Sequence, residues 1–245
     1  MSRQPPGAPP PPPVQKVRLR YTKRGRLRFT SHRDIARVFE RALRRAGVPM
    51  AFSAGFSPHP KISWVGAAAT GVASEAEYVD IALAEQRDPE ELRQALDASL
   101  PDGIDVVEAV TAPPGTSLAD LVTASLWRIE LPGVAVPDLE RAVAAFEAAA
   151  SVEVERMTKN GRRTFDTRTA VVSLTTGPGD GCAILTLVVQ HVTPAVRPDD
   201  VLSGLRAVSD LTTPVPPSVT RLAQGPLTAD GGVGDPLAPD RVAAG

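Results

Sequence analysis

Short segments of period-two hydrophobicity alternate with segments of helical period, and this rhythm most constrains the fold. Val17-Arg18-Leu19-Arg20-Tyr21 alternates apolar and basic residues, the pattern of a half-buried strand. Lys23-Arg24-Gly25-Arg26 reads as a tight turn, with Leu27 and Phe29 on a short return strand. Ser31 then caps a helix, with Asp34 three residues on as in a capping box. Ile35, Val38, Phe39, Ala42, Leu43 and Ala46 recur at helical spacing until Gly47 and Pro49 stop the helix. Strands over 61–69 and 78–83, a helix from Pro89 capped by Asp88, and a strand over 104–110 follow. Strand, helix, strand, strand, helix, strand is the split βαβ, or ferredoxin-like, order.

The same order repeats. A strand over 126–131, a helix from Pro137 to Ala149, a strand over 152–157 and a polar turn over 159–163 come first. Strands over 167–174 and 183–190, a helix opened by Pro198 and a short strand over 218–222 complete it. The expected class is α+β, with two tandem ferredoxin-like domains at 14–112 and 124–222, each carrying an extra hairpin. The boundary falls near Pro113–Leu118. Residues 1–13 hold seven prolines and read as a solvated tail; residues 223–245, rich in Gly and Pro, read as a disordered one.

Aromatic residues make up 4% of the chain, so the core must come from Val, Leu, Ile and Ala. One cysteine, Cys182, excludes an intrachain disulfide framework and a Cys-ligated cluster or Cys-rich zinc site made by this chain alone. No apolar run approaches the roughly 20 residues of a membrane helix, and the N-terminus lacks a signal-peptide pattern. The expectation is a soluble cytoplasmic protein that touches no membrane.

A net charge of −1 conceals strong polarity. Residues 14–61 carry 13 Lys and Arg against Asp34 and Glu40, a net of +11, and residues 62–245 carry a net of −13. On the helix, Arg33, Arg37, Arg41 and Arg44 fall within about 80° of one another, opposite the apolar side, with Arg45 beside them. A guanidinium offers a planar fork suited to phosphate oxygens. Arg24 and Arg26 extend the basic set. The face suits a polyanion or an acidic protein; a solvated face, or one neutralised by the acidic half, is the alternative.

The loop Phe52-Ser53-Ala54-Gly55-Phe56-Ser57-Pro58-His59-Pro60-Lys61-Ile62-Ser63-Trp64 is the second candidate. Gly55 permits close backbone approach, and Pro58 and Pro60 stiffen the chain around His59. His59 and Lys61 suit a phosphate or acid–base work, and Phe52, Phe56 or Trp64 a stacked base. The aromatics could equally be core residues. A second basic edge comprises Lys159, Arg162, Arg163 and Arg168; Asp166, two residues from Arg168, would share its side of a strand and pair with it or its neighbours. The sequence has no Walker loop, GxGxxG opening a helix, HExxH or Gly-x-Ser-x-Gly elbow. His32, His59 and His191 show no metal-ligand spacing.

Four blocks carry a family resemblance: Leu27–Asp34, Phe39–Gly47, Gly55–Ser63 and Glu77–Ile81. They closely resemble the radical-SAM-linked protein family, a bacterial domain of unknown function. The likeness covers roughly residues 15–210 and extends to Asp166-x-Arg168 and Arg197-Pro198-Asp199, although Thr169-Ala170 departs from the family's pattern. It implies partnership with a radical SAM enzyme, which would hold the iron–sulfur cluster and S-adenosylmethionine; this chain would hold no cofactor. It also suggests tRNA or rRNA as the polyanion. The expected function is an accessory RNA-binding module, with Arg24, Arg26, Arg33, Arg37, Arg41, Arg44, Phe56, His59 and Lys61 as contacts. The alternatives are a domain that docks the radical SAM protein without RNA, and an RNA-modifying enzyme using His59 and Lys61.

Overall fold

The computed structural model describes residues 10–158 and 161–243. The chain divides into two compact units: residues through Asp120 together with those from Pro236 onward, and Leu121–Asp235. Each is a mixed α+β structure on an antiparallel sheet.

In the first unit, β1 (Gln15–Lys23) leads into α1 (His32–Arg45). Then come β2 (Ile62–Val65), β3 (Ala73–Leu83), α2 (Pro89–Asp97) and β4 (Val106–Thr111). The sheet order is β4-β1-β3-β2, each neighbour antiparallel. Side chains alternate across the pleat, so Val17, Leu19 and Tyr21 share one face with Val79, Ile81 and Leu83. That face packs on Ile35, Phe39, Ala42 and Leu43 of α1 and on Leu92 and Leu96 of α2. Each Leu or Ile so buried contributes about 1.5–3 kcal/mol. Tyr21, Phe39 and His32 meet Trp64 edge-on, with centroids 6.0, 5.1 and 5.2 Å from it.

The capping expectation at Ser31 holds: its Oγ accepts from the Asp34 amide at 3.2 Å and donates to the Asp34 carboxylate at 2.7 Å. Asp88 likewise accepts from the amides of Glu90 and Glu91. Two local expectations fail. Residues 25–29 form a 3₁₀ turn, not a return strand, because the Leu27 and Thr30 amides bond back to the carbonyls three residues earlier. The strand expected over 61–69 is confined to Ile62–Val65. A short helix, α3 (Leu118–Leu121), follows β4.

The second unit runs β5 (Ala124–Pro132), α4 (Val136–Ala148), β6 (Glu153–Thr158), β7 (Gly161–Asp166), β8 (Val171–Gly179), β9 (Cys182–Gln190), α5 (Pro198–Val208) and β10 (Ser218–Gly225). Its sheet order is β10-β5-β9-β8, again antiparallel. Among the described residues, strands β6 and β7 pair only with each other, as a hairpin outside that sheet. Residues 161–163, expected as part of a turn, are therefore strand, and Arg168–Ala170, expected as strand, is a 3₁₀ turn. Ile129, Leu139, Phe146, Leu185 and Leu205 are completely buried. α4 and α5 approach so closely that a Cβ at Gly204 would lie 2.9 Å from the Phe146 ring.

The expectation of a disordered tail from residue 223 is overturned. β10 extends to Gly225, Leu227 bridges to Val233, and a last helix, α6, spans Ala238–Ala243. Leu237 and Asp240 are buried. The Gly/Pro-rich composition hid two anchors, one apolar and one charged. The described residues contain no helix long and apolar enough to cross a membrane.

Candidate nucleic-acid interface

The positive charge of residues 14–61 separates into two populations. One is neutralised inside the fold. β1 turns Lys16, Arg18 and Arg20 to the sheet face opposite α1 and α2, since Val17, Leu19 and Tyr21 take the helix side. Arg18 is completely buried. Its Nη1 donates to both carboxylate oxygens of Asp240, at 2.8 and 2.6 Å, and its Nη2 to Thr116 Oγ1 at 2.8 Å. Its Nε stands 3.5 Å from Asp80. Burial pushes the Asp80 carboxyl above its ordinary range despite Arg18 and Lys16 beside it. Lys23 is buried against the carbonyls of Ala68 and Ala69. Arg24 pairs with Glu75 and, at 3.3 Å, with Asp105. The acids that these bases meet, Glu75, Asp80, Asp105 and Asp240, all come from residues 62–245, so the acidic remainder does neutralise this part of the charge, from within the same unit.

The other population faces solvent on α1. Arg33, Arg37, Arg41 and Arg44 are all exposed. Arg37 lies 3.3 Å from Asp34, and Arg44 reaches the Glu40 carbonyl at 3.4 Å. Arg33 and Arg41 have no hydrogen-bond or ion-pair partner among the described residues. Arg26 is exposed in the same condition. A capped helix whose opposite side is core holds these guanidinium groups in a row. Arg45, beside them, donates to the Ser99 carbonyl.

The Gly-Pro-His loop leaves the sheet at Ala51 and returns at Lys61, whose amide donates to the Ala51 carbonyl at 2.8 Å. Phe52 bridges to Pro60, and Ser53 and His59 exchange bonds: Ser53 N donates to His59 O, and His59 N to Ser53 Oγ. Gly55 has φ +141°, a conformation L side chains rarely adopt. Phe56 is 65% exposed and Phe52 46%, whereas Trp64 is half-buried against the aromatic core. His59 is exposed and its imidazole has no partner among the described residues. Ile62 faces the helices, so strand alternation turns Lys61 to the opposite face. His59 and Lys61 share a loop but no hydrogen bond. Phe29, 59% exposed beneath the Arg28 guanidinium at 4.7 Å, is an aromatic the sequence reading did not single out for contact.

In the second unit, Lys159 lies outside the described residues. Arg162 pairs with Glu155 at 3.1 Å, and Arg163 is exposed and unpaired among the described residues. The Arg168 Nη1 reaches the Val171 carbonyl at 3.4 Å. Asp166 does not pair with the Arg168 guanidinium. Its carboxylate takes the amides of Val152, Arg168 and Thr169 where the strand ends. Burial opposes its ionisation, but those amides outweigh it and hold the carboxyl below its ordinary range.

One pair was invisible in sequence because its members stand 66 residues apart. Ser125 Oγ lies 2.8 Å from His191 Nε2, and His191 Nδ1 lies 2.9 Å from the Val122 carbonyl. Only a protonated Nδ1 satisfies that carbonyl, so Nε2 accepts from the serine. His191 is exposed as a residue, but its two nitrogens are covered; their desolvation lowers its pKa and favours neutral imidazole. Ser125 is 1% exposed, which makes the pair a tie between β5 and the end of β9 and closes it to substrate. Among the described residues no three His, Cys, Asp or Glu side chains are placed to hold a metal ion.

A family model described as "Uncharacterized protein conserved in bacteria (DUF2344)" matches residues 16–198. No curated protein matches the chain. Among solved structures, the encapsulated DyP-type peroxidase from Mycobacterium smegmatis is similar over 89% of this chain and 94% of its own, at 11% identity. Its TM-score of 0.19 is too low to support any argument about fold or function.

Proposed function

We propose that this chain, which belongs to the uncharacterized bacterial family DUF2344, is an accessory RNA-binding module that works with a separate radical SAM enzyme in the cytoplasm. The observation that carries the proposal is the exposed arginine row of α1. Arg33 and Arg41 stand without partners among the described residues, while Arg18 of β1 is paired inside the fold and Arg24 is paired with Glu75 at its surface. Free guanidinium groups on a rigid helix suit phosphate oxygens. Phe52 and Phe56 beside His59 offer π-faces for unstacked bases, which favours single-stranded or loop RNA over duplex. The strand orders β4-β1-β3-β2 and β10-β5-β9-β8 support reading the units as tandem ferredoxin-like domains, the second carrying the β6–β7 hairpin as an insertion.

The radical SAM partner rests on the resemblance of the Gly55–Ser63 block and its companions. One cysteine does not fit a Cys-ligated cluster, so that cluster and S-adenosylmethionine are assigned to the partner, and no chemical step is assigned to His59 or Lys61.

The test is binding of tRNA and rRNA fragments by the purified chain across a salt series. Affinity should fall steeply with salt, and the triple change Arg37→Glu, Arg41→Glu, Arg44→Glu should abolish it with the fold intact. Undiminished binding by the triple variant would move the RNA off α1. Co-purification with the radical SAM protein without RNA, lost in the same variant, would turn the face into a protein-docking surface.

A further inference from the structure

The C-terminal segment lies on the first unit's sheet face, opposite α1 and α2, through three matched contacts. Leu237 is completely buried in a cluster with Ala76, Tyr78, Val110 and Leu118. Asp240 meets Arg18 at 2.6 Å. Arg241 places Nε and Nη2 on the two carboxylate oxygens of Glu108. Positions 237, 240 and 241 are i, i+3 and i+4, one side of a helical turn. The face thus reads an apolar, an acidic and a basic side chain in a fixed order.

A six-residue helix does not hold its shape alone in water; α6 is ordered by this surface. The nature of the central contact bears on whether the cover is permanent. A buried ion pair stabilises no better than apolar side chains of the same volume, but it selects partner and register. Beside that pair, Arg18 Nε and Asp80 Oδ1, both buried, face each other at 3.5 Å as an ion pair without a hydrogen bond. A chain segment that includes Gly231, Gly232 and Gly234 tethers the helix to what precedes it.

We propose that this face is a docking site for a short helical segment of a partner protein bearing Leu, Asp and Arg at i, i+3 and i+4. Residues 237–241 fill it in cis. Charge complementarity names the occupant: Arg18 requires an acid, and Glu108 a base one position further along the bound segment. The proposal is independent of RNA binding by the outer side of α1. Tethering places the native segment at roughly millimolar effective concentration, so it competes with the partner until displaced.

The experiment compares the full chain with a Leu237→Ala, Asp240→Asn variant whose own segment is loosened. The probes are a synthetic peptide of residues 234–243, the same peptide with Asp240 and Arg241 exchanged in order, and an oligouridine. Folding is followed by circular dichroism and segment release by amide exchange. The variant should stay folded, exchange its last residues faster, and bind the native peptide at least tenfold more tightly than the full chain does. The exchanged peptide should bind neither protein. Failure of the released variant to bind peptide overturns the proposal, as does loss of the fold or unchanged exchange, either of which makes the segment a fixed part of the core. Preference for oligouridine at this face overturns it in favour of a nucleic-acid site. An RNA result on α1 leaves all these outcomes readable.

Discussion

Arg18 and Asp240, 222 residues apart in sequence, meet through one guanidinium nitrogen and two carboxylate oxygens in a site where neither is more than 2% exposed at its side chain. Losing one partner strands a buried charge. Arg18→Ala should therefore destabilise the protein by about 3–5 kcal/mol. The double change Arg18→Met, Asp240→Leu should recover most of that loss. Chemical denaturation of both variants measures the difference; equal losses would show that packing of the arginine stem, not charge, sets the cost.

At Gly204 two effects of opposite sign compete. Alanine in a helix interior gains up to about 1 kcal/mol over glycine. Its Cβ, however, would meet the Phe146 ring at 2.9 Å, and Thr167 Oγ1 and Val152 Cγ1 at 3.0 Å. Overpacking costs about 1–3 kcal/mol, so Gly204→Ala should lower the melting temperature.

The helix α5 also shows what sequence conveys well. Its expected start at Pro198 coincides with the structure, because the N1 proline is a local signal. Ser31 and Asp88 were legible for the same reason. The arginine row of α1 followed from helical period alone, and its exposure agrees. Non-local pairing was not legible. Arg18 and Arg24 look as free in sequence as Arg33 and Arg41 do, since their acids lie 51 to 222 residues away. The strand expected over 152–157 is β6, but β7 and the buried Leu237 were missed, because polar turn residues and a Gly/Pro-rich composition resemble loop and tail until a cross-chain partner is known.

His191 gives the protein a pH dependence of definite sign. Its folded pKa lies below the ordinary value of 6.5, so below about pH 6.5 the unfolded chain binds the proton first. This contribution is full above pH 6.5 and is lost as pH falls toward the folded pKa. His191→Gln, which retains hydrogen-bonding groups but cannot titrate, should show a smaller drop in melting temperature between pH 7.5 and pH 5.5 than the parent chain.

Arg41 and Phe56 should separate binding from stability. Neither Arg41→Ala nor Phe56→Ala should change the melting temperature appreciably, since Arg41 is unpartnered among the described residues and Phe56 is 65% exposed. Titration with a single-stranded RNA should show Arg41→Ala lowering the slope of log affinity against log salt by about 0.7. Phe56→Ala should weaken binding by about 1–3 kcal/mol without changing that slope.

The span between Arg18 and Asp240 also orders events in time. A ribosome adds about 5–20 residues per second, so Asp240 is made roughly 10–40 s after Arg18. Through that interval the nascent first sheet holds an arginine on an uncovered face, hydrated and without its carboxylate. The unit that emerges first is the last to be completed.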